Sequence, residues 1–352
     1  MELNKLIITP DKTVKAALKQ IDKGGEGILF VADKEMRLIG VLTDGDIRRH
    51  ILKNGNLNDT IEGCFNKNPV YLKEGYDPGA AKKLLVKHQI DIIPVTDGGG
   101  GLTGFITWPQ VFGGGMKEKE KIDLPVVIMA GGRGTRLDPF TKILPKPLIP
   151  IGEKPIVELI MDKFNEYGVS DFYLTVNYKA EMIKSYFDNV ETGYKIRYIR
   201  EKDFLGTAGS LRLLPGGVGG TFIVSNCDII VEADYADLVK FHKKGRHSLT
   251  IVGSIQHYKI PYGIIEYKEG GGLKAINEKP EYDMLINTGL YVLEKEALEH
   301  ISKGKAFHMT DLISALLKKK KKIGVYPVSE KSYVDIGQWE EYKKNIDRLI
   351  TE

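Results

Sequence analysis

The sequence has few of the features that mark secreted or membrane proteins. Only two of its 352 residues are cysteine, Cys64 and Cys227, and we assign them to different domains. A disulfide framework is therefore not expected, whereas a reducing compartment is. No apolar run approaches the length of about 20 residues that a membrane-spanning helix needs. The first residues, MELNKLIITPDKTVK, lack the apolar core of a signal peptide. We expect a cytoplasmic protein.

An excess of charge of one sign is also missing. The chain has 51 Lys and Arg against 47 Asp and Glu, for a net charge of +4. The cations are scattered among the acids, without the basic stripe interleaved with aromatic residues that tracks nucleic acid. We expect neither nucleic acid nor a membrane surface as a partner. The 42% hydrophobic and 28% charged residues are typical of a globular protein long enough for two or three domains.

Two common phosphate-binding fingerprints are absent too. Leu137 stands where GxGxxG requires its third glycine, and the chain has no GxxxxGK[ST]. Even so, residues 126–150 (VVIMAGGRGTRLDPFTKILPKPLIP) pass from an apolar strand into a glycine-rich loop. Glycines let backbone N–H groups approach an anion, and Arg136 and Lys146 add two cations. The stretch predicts a phosphate site at the carboxyl edge of a sheet.

This stretch resembles the GGxGTRLxPxTxxxPKPLxP signature of the sugar-1-phosphate nucleotidyltransferases. The resemblance implies that a sugar-1-phosphate oxygen attacks the α-phosphorus of a nucleoside triphosphate in line and expels pyrophosphate. Arg136 and Lys146 stand where the family has its two catalytic basic residues. The loop residues that would bind the nucleotide are Ala130, Gly131, Gly132, Gly134 and Thr135.

Two later segments place an aspartate at the end of an apolar strand. TFIVSNCD ends in Asp228 and SYVDIGQW contains Asp335, and the two match the family's metal-binding acids. Hard oxygen donors suit Mg²⁺, and a divalent cation relieves the repulsion between two polyanionic substrates. Each aspartate alone could cap a turn. As a pair following this signature, they are predicted to bind Mg²⁺.

The element LGTAG at residues 205–209 resembles the part of the family that lies against the nucleobase. The resemblance implies that Gly206 and Thr207 contact the nucleotide and that Glu201 faces the edge of the base. A carboxylate only accepts hydrogen bonds, and guanine presents two adjacent donors, so Glu201 favours GTP over UTP or dTTP. The alternative is a solvated acid at a strand end.

Three short motifs resemble the family's YG, EKP and NxG elements on the sugar side. They contain Tyr262 and Gly263, then Glu278 and Lys279, and finally Asn287. The resemblance implies that Glu278 and Asn287 bind sugar hydroxyls and that Lys279 is a third catalytic cation, on the sugar phosphate. Polar acceptors with one cation are what such a ligand needs. Glu278 and Lys279 could instead form an exposed pair of little consequence.

From Leu124 onward, strand and helix patterns alternate. Residues 154–167 have helical spacing, residues 172–178 read as a strand, and residues 248–277 read as strands separated by a glycine turn. Over residues 124–352 this predicts a Rossmann-like α/β domain. Its mixed, mostly parallel sheet would carry an antiparallel extension over the sugar side.

The residues before this domain contain a tandem repeat. Three segments recur, as residues 14–18 and 78–82, 29–33 and 93–97, and 40–43 and 104–107. We predict a module over residues 1–117 with copies at about 1–60 and 61–115, each of βαββα type. Residues 113–123 (GGGMKEKEKID) have the composition of a linker, and we predict that residues 118–123 connect the two domains. The glycines at 98–101 are predicted to form a hairpin tip.

The repeat and the string GVLTDGDI resemble a CBS pair, a regulatory module that often carries adenine nucleotides. The resemblance implies that Thr43 and Asp46 hold phosphate and ribose, and that Thr107 matches Thr43 in the second copy, where Gln110 replaces the aspartate. Asp46 is equally suited to cap the following helix. A module that only packs or dimerises stays open, and we expect a homo-oligomer.

Among CBS-bearing members, the chain looks most like the guanylyltransferases that activate glucosamine-1-phosphate for bacterial legionaminic-type sugars. Mannose-1-phosphate and heptose-1-phosphate are rival substrates. A different class of function is a catalytically inactive nucleotide-sugar sensor. Such a protein should have lost a charged group needed for transfer, whereas Arg136, Lys146, Asp228 and Asp335 are all present.

Overall fold

The computed structural model describes residues 2–112, 119–216, 218–302 and 304–343. Its contacts divide the chain into two compact units, Met1–Glu118 and Lys119–Glu352. Of the predicted linker, residues 113–118 lie outside the described ranges, and residues 119–123 contain no helix or strand. Within the described ranges, no helix is both long and apolar enough to cross a membrane.

The N-terminal unit consists of two copies of one βαββα motif, as predicted. The first copy contains β1 (Ile7–Ile8), α1 (Val14–Gly24), β2 (Ile28–Ala32), β3 (Leu38–Thr43) and α2 (Asp44–Leu52). The second copy contains β4 (Leu72–Lys73), α3 (Pro78–His88), β5 (Ile92–Thr96), β6 (Leu102–Thr107) and α4 (Trp108–Phe112). In each copy the short first strand is parallel to the second, which is antiparallel to the third.

Local sequence explains where the first helix of each copy begins. The side chain of Thr13 accepts a hydrogen bond from the N–H of Ala16 at the start of α1. Asp77 does the same for Ala80 at the start of α3, with a proline in the first turn. Both helices bury the apolar face that the repeat predicted.

The two copies bury each other's apolar residues. Phe30 of the first copy and Ile92 and Leu102 of the second belong to one buried cluster. The turns between the second and third strands also pair, because the N–H of Leu38 donates to the carbonyl of Gly100. The glycine run at 98–101 therefore lies in a hairpin turn, as predicted.

The C-terminal unit has more strands than helices. Its strands are β7 (Val126–Met129), β8 (Pro150–Ile151), β9 (Lys154–Pro155), β10 (Asp171–Val176), β11 (Lys195–Arg200), β12 (Thr221–Asn226), β13 (Ile229–Val231), β14 (Leu249–Lys259), β15 (Ile264–Tyr267), β16 (Leu273–Asn277), β17 (Glu281–Glu294), β18 (Ile323–Val328) and β19 (Tyr333–Asp335). Its helices are α5 (Phe140–Ile143), α6 (Ile156–Asn165), α7 (Ala180–Asp188), α8 (Gly206–Gly209), α9 (Tyr235–Gly245) and α10 (Met309–Lys318).

A seven-stranded mixed sheet forms the centre of this unit. The strand order is β11-β10-β7-β12-β17-β14-β18. The first four strands are parallel, β17 is antiparallel to both of its neighbours, and β14 is parallel to β18. The predicted mixed, mostly parallel sheet is confirmed. It places the loop after β7 between those that follow β10 and β12, at the carboxyl edge where ligands bind in such sheets.

Strand β7 is buried on both faces. Val126 and Ile128 pack into one core cluster, while Val127 and Met129 pack into the other. Side chains alternate across a strand, so a central strand covered on both faces needs a continuous apolar sequence. This explains why the run before the glycine loop contains no polar residue.

Strands β14 and β17 form the antiparallel part of the sheet, and β15 and β16 form a separate hairpin. Within the segment predicted to form strands around a glycine turn, β16 covers residues 273–277 as expected, whereas β15 begins at Ile264, two residues later than the sequence pattern suggests. Strand β17, which has 14 residues, was not predicted. Its first half is largely exposed and carries Glu281 and Asp283, so its sequence lacks a strong strand pattern.

Candidate active site

The glycine-rich loop folds back onto Lys146. Gly134 has a φ of +70°, and a Cβ atom there would lie 2.9 Å from Cβ of Lys146 and 2.9 Å from Cγ2 of Thr141. A side chain would therefore be both strained and blocked. The Thr141 hydroxyl donates to the carbonyl of Gly134 over 3.1 Å. The loop continues into the 3₁₀ turn Thr135–Leu137, which carries Arg136.

The two predicted metal-binding aspartates are brought together by a short pair of strands. Asp228 comes directly before β13, and Asp335 is the last residue of β19. These strands pair antiparallel, with Ile229 opposite Asp335. The N–H of Ile336 donates to the Asp228 carbonyl over 3.0 Å. Two acids far apart in the sequence thus become neighbours.

Lys146 joins the same cluster. Its ammonium forms an ion pair with Oδ2 of Asp228. A Cβ atom on Gly337 would lie 2.2 Å from Oδ2 of Asp228, 2.9 Å from Oδ1 of Asp335 and 3.2 Å from Nζ of Lys146. The two carboxylates and the ammonium therefore surround one small space, which exists because residue 337 has no side chain.

Arg136 contributes to the electrostatics of this cluster. Burial raises the pKa of the Asp335 carboxyl, and the charge of Asp228 raises it further. The N–H of Gly337 and the cations Lys146 and Arg136 act in the opposite direction on that pKa. Lys146, Asp228 and Asp335 therefore border one space, and the charge of Arg136 acts on the Asp335 carboxyl, while their shared contact with a ligand stays a prediction.

The donor set is compatible with Mg²⁺. Asp228 and Asp335 present hard oxygen donors to a common space, which this ion prefers. Among the described residues, no group of three or more His, Cys, Asp and Glu could hold a metal. Asp228 and Asp335 are therefore the residues that would hold a magnesium ion here.

Glu201 is buried against the glycine loop. The residue is only 6% exposed. Oε2 accepts a hydrogen bond from the N–H of Leu205 over 3.3 Å, and a Cβ atom on Gly131 would lie 2.4 Å from Oε1. Burial raises the pKa of this carboxyl. Glu201 is therefore not a solvated acid, and it borders the loop predicted to bind the nucleotide.

Gly206 and Thr207 contact a segment that the sequence did not suggest. Gly206 has a φ of +77°, and a Cβ atom there would lie 2.8 Å from the Phe307 carbonyl oxygen. The Thr207 hydroxyl accepts a hydrogen bond from the N–H of Met309 over 3.0 Å. These contacts give both residues a structural role. Their contact with the nucleotide stays a prediction.

On the sugar side, Asn287 lies in β17, two residues before a glycine that approaches the end of β12. Gly289 has a φ of +89°, and a Cβ atom there would lie 2.4 Å from Nδ2 of Asn226, which closely precedes Asp228. Oδ1 of Asn287 accepts from the N–H of Gly289 over 3.0 Å, and its Nδ2 donates to the Tyr291 hydroxyl over 2.8 Å. The NxG motif thus lies within β17 and not in a turn, and its glycine packs against the end of β12.

The other sugar-side residues form a second group. A Cβ atom on Gly263 would lie 2.7 Å from Oε2 of Glu278, so the YG motif that also contains Tyr262 adjoins the EKP motif. The side chains of Lys279 and Glu278 are 59% and 69% exposed, with 3.9 Å between their charged atoms. Both side chains are therefore largely exposed to solvent.

The sequence reasoning missed a cleft beside the glycine loop. It has a volume of about 300 Å³. Its lining residues are Arg133, Thr135, Asp138, Thr141, Lys142, Asn177, Tyr178 and Phe204. The Arg133 guanidinium lies 4.7 Å from the centre of the Phe204 ring, and Nδ2 of Asn177 donates to the Glu201 carbonyl over 3.0 Å. Asn177 could have been found, because it directly follows β10, which neighbours β7.

In the N-terminal unit, Thr43 and Asp46 cap helix α2. Oδ2 of Asp46 accepts from the N–H of Thr43 over 2.9 Å and from its hydroxyl over 2.6 Å, and Thr43 accepts from the N–H of Asp46. In the second copy the N–H of Thr107 donates to Oε1 of Gln110 over 2.8 Å. This bond is equivalent to the one from the N–H of Thr43 to Asp46, so Gln110 replaces Asp46 in one of the capping hydrogen bonds of the second copy. The cap is present, and an adenine-nucleotide contact stays a prediction.

Comparison with known families assigns both units. The family model described as "Nucleotidyl transferase" matches residues 125–352. The chain belongs to this family. The nucleotidyl transferase also carries two matches to the CBS domain, over residues 1–53 and 61–111. Both units are thus of the kind that the sequence predicted.

Curated relatives of this nucleotidyl transferase include sugar-phosphate guanylyltransferases. A probable mannose-1-phosphate guanylyltransferase 1 of Oryza sativa is 34% identical over 187 residues, 51% of this chain and 52% of the relative. The D-glycero-alpha-D-manno-heptose 1-phosphate guanylyltransferase of Campylobacter jejuni is 30% identical over 220 residues, 62% of this chain and 97% of the relative. The chain thus spans about half the length of the rice protein and nearly all of the Campylobacter protein.

A solved structure shares the fold of the C-terminal unit. HddC from Yersinia pseudotuberculosis aligns with a TM-score of 0.52 and 28% sequence identity. The alignment covers 64% of this chain and 99% of HddC. The α/β fold of the nucleotidyl transferase unit is therefore shown by the family match and by this structural likeness.

Proposed function

We propose that this nucleotidyl transferase moves GMP from GTP onto a sugar-1-phosphate and releases pyrophosphate. One observation supports the proposal: Lys146, Asp228 and Asp335 surround one space next to Gly337, and Arg136 acts electrostatically on Asp335. Both substrates are polyanions, so a site of clustered cations with two carboxylates for a metal suits their reaction. The names of the rice and Campylobacter relatives support the same reaction class.

The charged residues have distinct parts in this proposal. Lys146, at the centre of the cluster, neutralises the reacting phosphates, and Arg136 binds the leaving pyrophosphate through its planar guanidinium. Asp228 and Asp335 would hold Mg²⁺, which when bound supplies further neutralisation of the phosphate oxygens. The reaction needs no covalent intermediate on the protein, because orientation and charge neutralisation suffice for in-line transfer.

Base selection is assigned to Glu201. Its buried carboxylate borders Gly131 of the nucleotide loop, in a place where water is largely excluded. Guanine offers N1–H and N2–H₂ side by side, and an ionised carboxylate accepts from both. Uracil and thymine present an acceptor beside their donor, so they pair less well with this group. GTP is therefore the proposed donor.

The sugar-1-phosphate is assigned to the residues of the sugar side. Asn287 lies in β17, two residues before the glycine that approaches the end of β12, and is suited to a hydroxyl group, while Tyr262, Gly263 and Glu278 adjoin one another on the sugar side. Lys279 is exposed and free to reach a sugar phosphate. Glucosamine-1-phosphate, the precursor in legionaminic-type synthesis, is the first candidate because of the resemblance among CBS-bearing members. Mannose-1-phosphate and heptose-1-phosphate are rivals that the relatives' names support.

The N-terminal unit is proposed to regulate or assemble the enzyme. Adenine nucleotides are the candidate ligands, near Thr43 and Asp46 in the first copy and Thr107 in the second. The same unit would support a homo-oligomer. The other class of function, an inactive nucleotide-sugar sensor, is disfavoured because all four charged groups are present and three of them border one space.

The test is a pyrophosphate-release assay with Mg²⁺, the four nucleoside triphosphates and the three sugar-1-phosphates, with products identified by mass spectrometry. Turnover with GTP and a GDP-sugar product are expected. Turnover only with UTP or dTTP would overturn the role of Glu201. Nucleotide binding without turnover across the panel would favour the sensor.

A further inference from the structure

A stack of aromatic side chains joins two segments that carry charged residues of the site, and the proposed reaction does not use it. The rings of Phe140 and Trp339 have centroids 5.0 Å apart, and those of Trp339 and Tyr342 are stacked with centroids 5.4 Å apart. The Tyr342 hydroxyl donates to the carbonyl of Pro150 over 2.9 Å. Together these contacts join two segments that are far apart in the sequence.

Three residues that take part in these contacts each follow a charged residue of the site within a few positions of the chain. Phe140 closely follows Arg136, Pro150 closely follows Lys146, and Trp339 closely follows Asp335. Phe140 and Pro150 therefore mark the signature segment that carries the two cations. Trp339 belongs to the segment that carries the second aspartate.

The acids and the cations are fixed by different means. Pairing of β13 with β19 sets Asp335 beside Asp228. The cations lie instead in 3₁₀ turns, Thr135–Leu137 and Lys146–Leu148, which pair with neither strand. The ion pair of Lys146 with Asp228 is one connection between the two groups, and the aromatic stack is another.

The position of the stack argues against a role in the core alone. Phe140 is 42% exposed, and Trp339 is only half-buried. Aromatic pairs of this kind contribute through their specific geometry as well as through the area they bury. A rigid indole between two rings can therefore set a distance between two segments without adding much to the core.

We propose that Trp339, held between Phe140 and Tyr342, is a positioning residue that fixes Arg136 and Lys146 relative to Asp335. The inference rests on the proposed nucleotidyl transfer and adds to it a residue that touches neither substrate. A shift of about 1 Å in such a site can cost about 10²-fold in rate. The stack should therefore matter more for turnover and metal binding than for folding.

The kinetic test compares Trp339→Ala with Trp339→Phe, which keeps a ring in the stack. The alanine variant is expected to lower kcat by about 10- to 100-fold and to raise the Mg²⁺ concentration that gives half-maximal rate. The phenylalanine variant should recover most of both quantities. Trp108→Phe, in the other unit, is the control and should keep wild-type kinetics. A folded Trp339→Ala variant with wild-type kcat and Mg²⁺ dependence would overturn the inference.

If Trp339→Ala does not fold, Phe140→Leu replaces it, because Phe140 is the more exposed partner in the stack. The same loss of kcat and the same rise in the Mg²⁺ requirement are expected of it. Wild-type values in a folded Phe140→Leu variant would overturn the inference as well.

A second measurement does not depend on turnover. The chain has two tryptophans, so Trp339 is the only one in a Trp108→Phe background. Its fluorescence should change when Mg²⁺ and GTP are added together, and the change should be absent in the same background with Asp335→Asn. Unchanged emission in the Trp108→Phe protein that keeps Asp335 would overturn the inference. Lack of turnover by the wild type with every triphosphate would instead overturn the proposed function, and this titration would still decide on the stack.

Discussion

Gly337 shows how far the site depends on one residue that has no side chain. The space that a Cβ atom would take there is bordered by both aspartates and Lys146. Real Cβ atoms essentially never approach other atoms as closely as 2.2 Å, so a larger residue must displace a charged group. Glycine is required here because of close approach, and not because of its backbone angles.

We predict that Gly337→Ala lowers kcat/KM by about 10²-fold, because the new methyl group displaces the Asp228 carboxylate from its position. The measurement is steady-state pyrophosphate release. Gly193→Ala is the matched control, since a Cβ atom at Gly193 meets nothing within 4 Å. Equal activity of the two variants would contradict the proposed site geometry.

Glu201 gives a prediction about base choice. A hydrogen bond to a charged group is worth about 1.5–3 kcal/mol, so Glu201→Gln should raise KM for GTP by about 10- to 100-fold. KM for UTP should change little. The ratio of the two KM values is the measurement, and an unchanged ratio would show that Glu201 does not read the base.

The raised pKa of Glu201 adds a pH dependence. The carboxyl must be ionised to accept from guanine, so kcat/KM for GTP should fall as the pH drops through this raised pKa. Without nucleotide, burial of the charge makes the folded protein less stable as the pH rises through the same pKa. The Glu201→Gln variant should lack both effects. Identical pH profiles of wild type and variant below neutrality would contradict this account.

At the scale of elements, the site is assembled from strand ends and short turns. Strands β7 and β12 deliver the glycine loop and Asp228 to one edge, and the pair β13–β19 adds Asp335. The predicted helix at 154–167 is shorter in the structure, because residues 154–155 form β9 and the helix ends at Asn165. Such end shifts are common, since helix boundaries depend on tertiary contacts.

Helix α2 provides a prediction for the N-terminal unit. Asp46→Ala should remove the N3 half of the capping box and lower the free energy of unfolding by about 1 kcal/mol, because the N–H of Thr43 loses its acceptor. Asp77→Ala, the control, removes a similar cap from α3 in the other copy. If the first copy binds AMP or ATP through Asp46, only Asp46→Ala should lose the thermal shift caused by these nucleotides. No shift in the wild type would favour a packing role.

At the scale of the whole molecule, two units of different kinds share one chain. One is a repeat of two βαββα copies that share a core cluster, and the other is a seven-stranded sheet with the charged site at its edge. The charged residues of the proposed reaction all belong to the second unit. The first unit is therefore expected to modulate turnover without supplying groups to it.

Removal of metal tests the second unit as a whole. Chelation of Mg²⁺ by EDTA should reduce turnover to background, and added Mg²⁺ should restore it, because Arg136 and Lys146 alone cannot offset the negative charge of the triphosphate and the two aspartates. Asp228→Asn and Asp335→Asn should each raise the Mg²⁺ requirement. Full turnover in EDTA would contradict a magnesium site at these two aspartates.

The sequence by itself determined the features that are encoded locally. These are the two repeats, the apolar strand that enters the glycine loop at Val126, and the paired cations Arg136 and Lys146. They could be predicted because strand burial, turn formation and phosphate affinity depend on residues close together in the chain. Only the tertiary structure decided that Gly337 faces both aspartates and that Trp339 stacks on Phe140. Those contacts depend on the register of β13 with β19, which joins distant segments through packing and which no spacing in the sequence specifies.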